Sequence, residues 1–179
     1  MDNSAKSLNL FLGKIFGFYL FWLVSENFLS HEFVIYNKLW SFFYHIFLQI
    51  VHGGSEMVLQ LQGYETISGY NSLSILGSYG VIIGNPCVGF GLTYGFSALI
   101  ISYPGSWKKK LWFIPAGAAF ISAINIARVV ALITSSYKIG SFVKMEKHDL
   151  FNNMIYIVIF MLWVVWVKFI VDPKKKTAA

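Results

Sequence analysis

Lys108-Lys109-Lys110 and Lys174-Lys175-Lys176 each abut an apolar run long enough to cross a bilayer. No other feature constrains the chain as much. Short basic clusters at the ends of apolar runs act as cytoplasmic anchors, because lysine and arginine close to a span are retained on the cytoplasmic side. Composition agrees with a bilayer setting. Only 12% of residues are charged and 56% are hydrophobic, where a soluble domain carries about 25% charged residues. The net charge of +6 is gathered at the ends of spans and not along a groove-lining face, so nucleic acid is not an expected partner. No polar or Pro/Gly/Ser-rich linker divides residues 1–179, which read as one membrane domain. The single cysteine excludes an intrachain disulfide.

Hydropathy predicts an all-α integral membrane protein with four to five transmembrane helices and a short external Gly-rich segment. Leu8 to Leu29 is the first candidate span. It is followed by Ser30-His31-Glu32, with no small-residue cleavage site, and so reads as a retained helix and not a signal peptide. Phe33 to His52 carries Asn37, Ser41, His45, Gln49 and His52 as a polar stripe at helical spacing. That helix either spans with its stripe facing other helices or lies flat in the interface. His31, His45 and His52 show no metal-ligand spacing with thiols or carboxylates, so no metal is expected. From Ser55 to Asn85, glycines interrupt β-prone pieces such as Val81-Ile82-Ile83, and this segment reads as extramembrane with a short hairpin or two. Three spans follow, over Pro86 to Tyr103, Leu111 to Ser135 and Asp149 to Val171.

The lysine triplets place the loop at 104–110 and the chain's last residues inside, with the residues before Pro86 and the loop from Ser136 to His148 outside. Lys6 and Lys14 favour an inside N-terminus, which requires the striped helix to lie on the outer surface. If that helix spans, the N-terminus is outside.

Asn85-Pro86-Cys87 is the first candidate site. Asn is a favoured N-cap and Pro a favoured first helical residue, so Cys87 is expected in the first turn of the next helix. Unpaired N–H groups and the helix dipole there stabilise a thiolate. The competing reading is an inert, buried cysteine acting as a small apolar residue. Arg128 lies 17 residues beyond Leu111, roughly 25 Å along a helix. An arginine in hydrocarbon costs about 2.5–3.5 kcal/mol on insertion scales and normally faces a protein interior or wet cavity. The alternative is a side chain snorkelling to the head groups. Ser122 and Asn125 precede it at spacings of three, which makes one polar edge. His148, beside Asp149, heads the last span, and imidazole chemistry suits proton transfer near neutral pH. Cys87, Gly91 and Gly95 form one small-residue face, and Ala119, Ala123, Ala127 and Ala131 another. Such faces let membrane helices approach closely, and their meeting would bring Arg128 level with Cys87.

Asn85-Pro86-Cys87-Val88-Gly89 opening one helix, Asn125-Ile126-Ala127-Arg128 near the end of the next, and His148 at the head of the last resemble the exosortase/archaeosortase family of membrane enzymes. The resemblance covers roughly residues 63–171, with the catalytic helices over 86–171. It implies a cysteine transpeptidase or protease of the cytoplasmic (inner) membrane, multi-pass, with its active site facing outward. Its substrates would be the C-terminal sorting signals of secreted, membrane-anchored precursors, and its acceptor a glycan or a lipid. Cys87, Arg128 and His148 would be catalytic, with Asn85, Asn125 and Ser122 supporting them and no cofactor. Two other readings stay open. One is a non-enzymatic assembly or export subunit binding a lipid or polysaccharide head group, and the other is a small transporter with Arg128 in its path.

Overall fold

The structure, a computed structural model, describes residues 3–25, 34–139 and 146–171, and their side chains outside 3–7, 34–37, 39, 139 and 146–153. It is mostly helical. In chain order come α1 (Asn3–Val24), α2 (Val34–Leu61), three strands, a one-turn helix α3 (Asn85–Val88), α4 (Phe90–Ser102), α5 (Trp107–Ile139) and α6 (Glu146–Val165). The last six described residues, Trp166–Val171, continue α6 as a wider π-helical turn. The stretches Trp107–Lys138 and Met154–Val171 are long and apolar enough to cross a membrane, while Leu8–Val24 and Phe90–Ser102 are apolar but shorter.

α2 is longer than its sequence suggests. Gly53-Gly54 should weaken a helix by about 1 kcal/mol each, yet the helix runs through both to Leu61. Gly54 has a packing reason, because a Cβ there would collide with Ile126 of α5. The missing side chain lets α2 and α5 approach, and they share the most extensive interface between elements. The β-containing part of the segment expected from Ser55 therefore starts only after Leu61, since residues up to that point are helical.

The β-structure is a three-stranded antiparallel meander, two consecutive hairpins, as the glycine-interrupted pieces suggest. Strand β1 (Thr66–Ser68) pairs with β2 (Ser72–Ile75), with Ile67 opposite Ser74. Strand β2 in turn pairs with β3 (Val81–Ile82), with Leu73 opposite Val81. Side chains alternate across a strand, so Ser72 and Ser74 face outward while Leu73 and Ile75 are buried. The buried face closes over Leu48, Val51 and Leu59 of α2 and Val129, Val130 and Ile133 of α5. A second core at the opposite end gathers Phe96, Ile100, Phe113, Ile155, Ile159 and Trp166.

Ring pairs order the helices. Phe11 of α1 meets Tyr103 just beyond the end of α4, and Trp22 meets Phe90 at the start of α4. Between them, the Tyr94 hydroxyl donates to the Phe18 carbonyl at 2.9 Å. The two helices thus run antiparallel, with the N-terminal half of α1 beside the turn at 103–106. That turn and the first turn of α5 form a lysine end opposite the sheet end. The Lys110 ammonium donates to the carbonyls of Ile101 at 2.8 Å and Tyr103 at 2.7 Å, and lies over the Trp107 ring. Lys109 donates to the Ile170 carbonyl. Two of the three lysines therefore cap helix C-termini, where cations complement the exposed carbonyls and the dipole, and Lys108 remains exposed. The second triplet, at 174–176, lies outside the described residues.

Candidate functional site

Cys87 sits on α3, a single turn separated from α4 by Gly89, whose φ of 76° puts it in the left-handed region. This break changes the local account in two ways. The cap position belongs to Gly84, and Asn85 is instead the first helical residue, with no side-chain cap bond. The expected span from Pro86 begins at Phe90, so Cys87 precedes the apolar helix and lies outside it. Its backbone N–H donates to the Gly84 carbonyl at 2.8 Å. The thiol is 4% exposed, among Val88, Val129 and the apolar side chains of α2 and the sheet. Burial pushes the Cys87 thiol up, and the opposing influence of Arg128 and of the Gly84 backbone does not reverse the shift. A one-turn helix has too few aligned peptide units to act as the long dipole expected at this position.

Arg128 is 2% exposed and turns inward. Its Nη1 donates to the Pro86 carbonyl at 3.4 Å, one peptide from Cys87. The helix face carrying Ser122, Asn125 and Arg128 is buried along its length. Asn125 is fully buried against Gly89, where any Cβ would collide with its amide. Neither its amide nitrogen nor its oxygen has a hydrogen-bond partner among the described residues. A buried, unsatisfied amide costs about 1–3 kcal/mol, so Asn125 is a polar group that packing alone does not call for at this position.

The small-residue faces do not meet. Ala119, Ala123 and Ala127 are exposed, because the face of α5 that packs inward carries Ile121, Asn125, Arg128 and Leu132, half a helical turn away. Close approach comes from single glycines instead: Gly54 against Ile126, Gly89 against Asn125 and Gly117 against Phe96. Cys87 leaves this face because of the break at Gly89, and only Gly91 and Gly95 turn toward α1. A Cβ on Gly91 would touch the Trp22 ring, whereas Gly95 has open space. These glycines floor an apolar groove of about 760 Å³ between α1, α4 and α6, which reaches Asn85 and Pro86.

Asn85 and Pro86 are exposed at the head of that groove. The backbone of His148 lies in the first turn of α6, and its side chain is outside the described residues. The structure thus brings together Cys87, Arg128, Asn125 and the Asn85-Pro86 step.

Sequence reasoning missed two tyrosines. Tyr44 on α2 packs against the cluster that holds Cys87. Tyr70, in the β1–β2 turn, bonds His45 Nδ1 at 2.9 Å. The stripe on α2 held the signal, since Tyr44 lies three residues beyond Ser41 on the same face. Further along that stripe, His52 Nε2 reaches the Ser72 carbonyl at 3.3 Å, and Glu56 accepts from Ser68 and Thr66. The polar residues of α2 therefore hold the sheet in place.

Comparison of the chain with protein-family models, curated proteins and solved structures finds no match. The fold alone defines a class: a mostly helical protein with two helices able to cross a membrane and a small sheet at one end.

Proposed function

We propose that this protein is a membrane-embedded cysteine transpeptidase or protease that acts on C-terminal sorting signals of membrane-anchored precursors at the outer face of the cytoplasmic membrane. One observation carries the reading: the inward-facing Arg128 guanidinium engages the Pro86 carbonyl, one residue from the sole cysteine. An arginine held away from the head groups has a polar task within the fold. In this chemistry the Cys87 thiolate attacks the scissile carbonyl. Arg128 stabilises the developing oxyanion, and His148 protonates the leaving amine. A water or an amine then resolves the acyl-enzyme, and the acceptor is a glycan or a lipid.

The accompanying topology has four spans: α1 inside to outside, α4 back in, α5 out and α6 in, with α2 and the sheet forming an outer cap. The antiparallel pairing of α1 with α4 supports it. The near-complete burial of Cys87 favours a second reading, a non-enzymatic assembly subunit in which Arg128 is a strut beneath α3. Precursor maturation with Cys87→Ala decides between them. The enzyme reading requires maturation to stop while the fold persists, and maturation at the wild-type rate would leave only the subunit.

A further inference from the structure

The groove of about 760 Å³ between α1, α4 and α6 is continued by a second of about 290 Å³. Ile15 of α1, Leu99 of α4, and Tyr156 and Ile159 of α6 line both, so the two form one track along the three helices. Its far end lies among Phe11 and Trp163. The Phe11 ring is 5.7 Å from that of Tyr103, whose carbonyl accepts from the Lys110 ammonium at 2.7 Å. The track therefore leads from the Asn85-Pro86 step to the lysine end. Phe11, Ile15, Phe18 and Trp22 give α1 one face toward it, and Lys14 is exposed on the flank of that face, beside Ile15. Trp163 brings a second polar feature to this end. Its indole N–H, which can only donate, is buried and has no partner among the described residues.

Resting on the reading of the chain as membrane-embedded with its lysine end inside, we propose that an anionic phospholipid of the cytoplasmic leaflet lays one acyl chain in this track, its phosphate held at the lysine end by Lys14 and the Trp163 indole N–H. Charge selects this occupant. Lys109 and Lys110 are committed to backbone carbonyls, whereas the long Lys14 side chain can run along apolar surface and present its ammonium at head-group level. An ammonium and an unpaired N–H are both donors, and an anionic oxygen satisfies them best. Anionic lipids are concentrated in the cytoplasmic leaflet and attract basic residues there. The precursor's own span fits less well. A spanning segment carries its basic residues on the cytoplasmic side, which would set like charges against Lys14 and Lys110. The head group lies at the opposite end of the track from Cys87, so this lipid is a partner of the fold and not the acceptor of the transfer.

Native mass spectrometry of the full chain, delipidated in neutral detergent and titrated with phosphatidylglycerol or phosphatidylcholine of equal chain length, tests this. The wild type should bind phosphatidylglycerol more tightly by about 5-fold, the effect of one basic residue beside an anionic lipid. Lys14→Met keeps the length of the side chain and should remove that preference, and Trp163→Phe, which keeps a ring and removes the N–H, should reduce it. Gly95→Leu places a side chain in the open space at Gly95 and suits a helix better than glycine. Displacing about two methylene groups of the acyl chain should weaken both lipids roughly tenfold. Equal binding of the two lipids by the wild type, or an undiminished preference in both Lys14→Met and Trp163→Phe, overturns the phosphate site. Wild-type affinity in Gly95→Leu overturns the track, and displacement of the lipid by glycerol phosphate would assign the site to a soluble anion instead. Failure of the membrane reading shows separately, as release of the protein from membranes by alkaline carbonate before any lipid is added. Cys87 takes no part, so an active Cys87→Ala would leave the lipid result standing.

Discussion

Gly89 carries a φ of 76° at the joint between α3 and α4, with its α-carbon against the Asn125 amide. An L-residue in that region costs about 1–2 kcal/mol, and a methyl group must also displace a fully buried side chain. Gly89→Ala should therefore destabilise the protein by at least about 2 kcal/mol, read as a lower thermal midpoint in detergent. Arg128→Lys tests a different property. A lysine keeps the charge but loses the planar fork, so under the proposed mechanism precursor processing should fall about 10²–10³-fold, the usual loss for an oxyanion donor. Near-normal processing by the lysine variant would assign Arg128 a packing role. The resting Cys87 thiol, pushed up by burial, should react more slowly at pH 7 than a free model thiol. A faster reaction would mean that Arg128 outweighs burial. At this scale the sequence was informative about residue types and silent about their surroundings. Cys87 and Arg128 were legible as anomalies in an apolar chain. Tyr44 was marked only by its place next to the polar stripe of α2, and the fold was needed to set it against the cluster that holds Cys87.

Lys110 finishes α4 by donating to the carbonyls of Ile101 in its last turn and of Tyr103 just beyond it. Lys110→Met preserves the length and apolar body of the side chain but removes the charged donor. Hydrogen bonds from charged groups contribute about 1.5–3 kcal/mol, so a comparable loss of stability is expected, with Lys108→Met as the near-neutral control on an exposed position. Calorimetry in one detergent compares them directly. Of the elements, α5 and α6 were readable from hydropathy because a long apolar run leaves few alternatives. The strand β2 was also legible in principle, since Ser72-Leu73-Ser74-Ile75 alternates polar and apolar residues over its length. The extent of α2 was not, because Gly53-Gly54 is a local argument for a break. Its continuation depends on Ile126, 72 residues further along the chain. The alanine stripe misled for a related reason. Small residues permit close approach without requiring it, and the bulkier Ile121 and Val129 on the opposite face decide which side of α5 packs inward.

The proposed four-span arrangement would place both ends of the chain on the lysine side. Reporter fusions at Trp107 and Lys175 should then give cytoplasmic signals, and one at Tyr137 an external signal. An external signal at Trp107 would invert the molecule and put the candidate site on the wrong face for secreted precursors. The basic clusters are the sequence basis of that expectation. The antiparallel pairing of α1 with α4 was not readable from sequence, because it depends on ring contacts between residues far apart in the chain.

The capping lysines also impose an order on assembly. Lys110 reaches back to Ile101 and Tyr103, carbonyls already synthesised when the lysine itself emerges from the ribosome. The α4–α5 turn can therefore close as a finished hairpin long before the chain ends. Its neighbour Lys109 has to wait for Ile170, 61 residues later. One tripeptide thus holds two latches of different reach: the partners of the first are complete as soon as Lys110 is made, and that of the second only once Ile170 is.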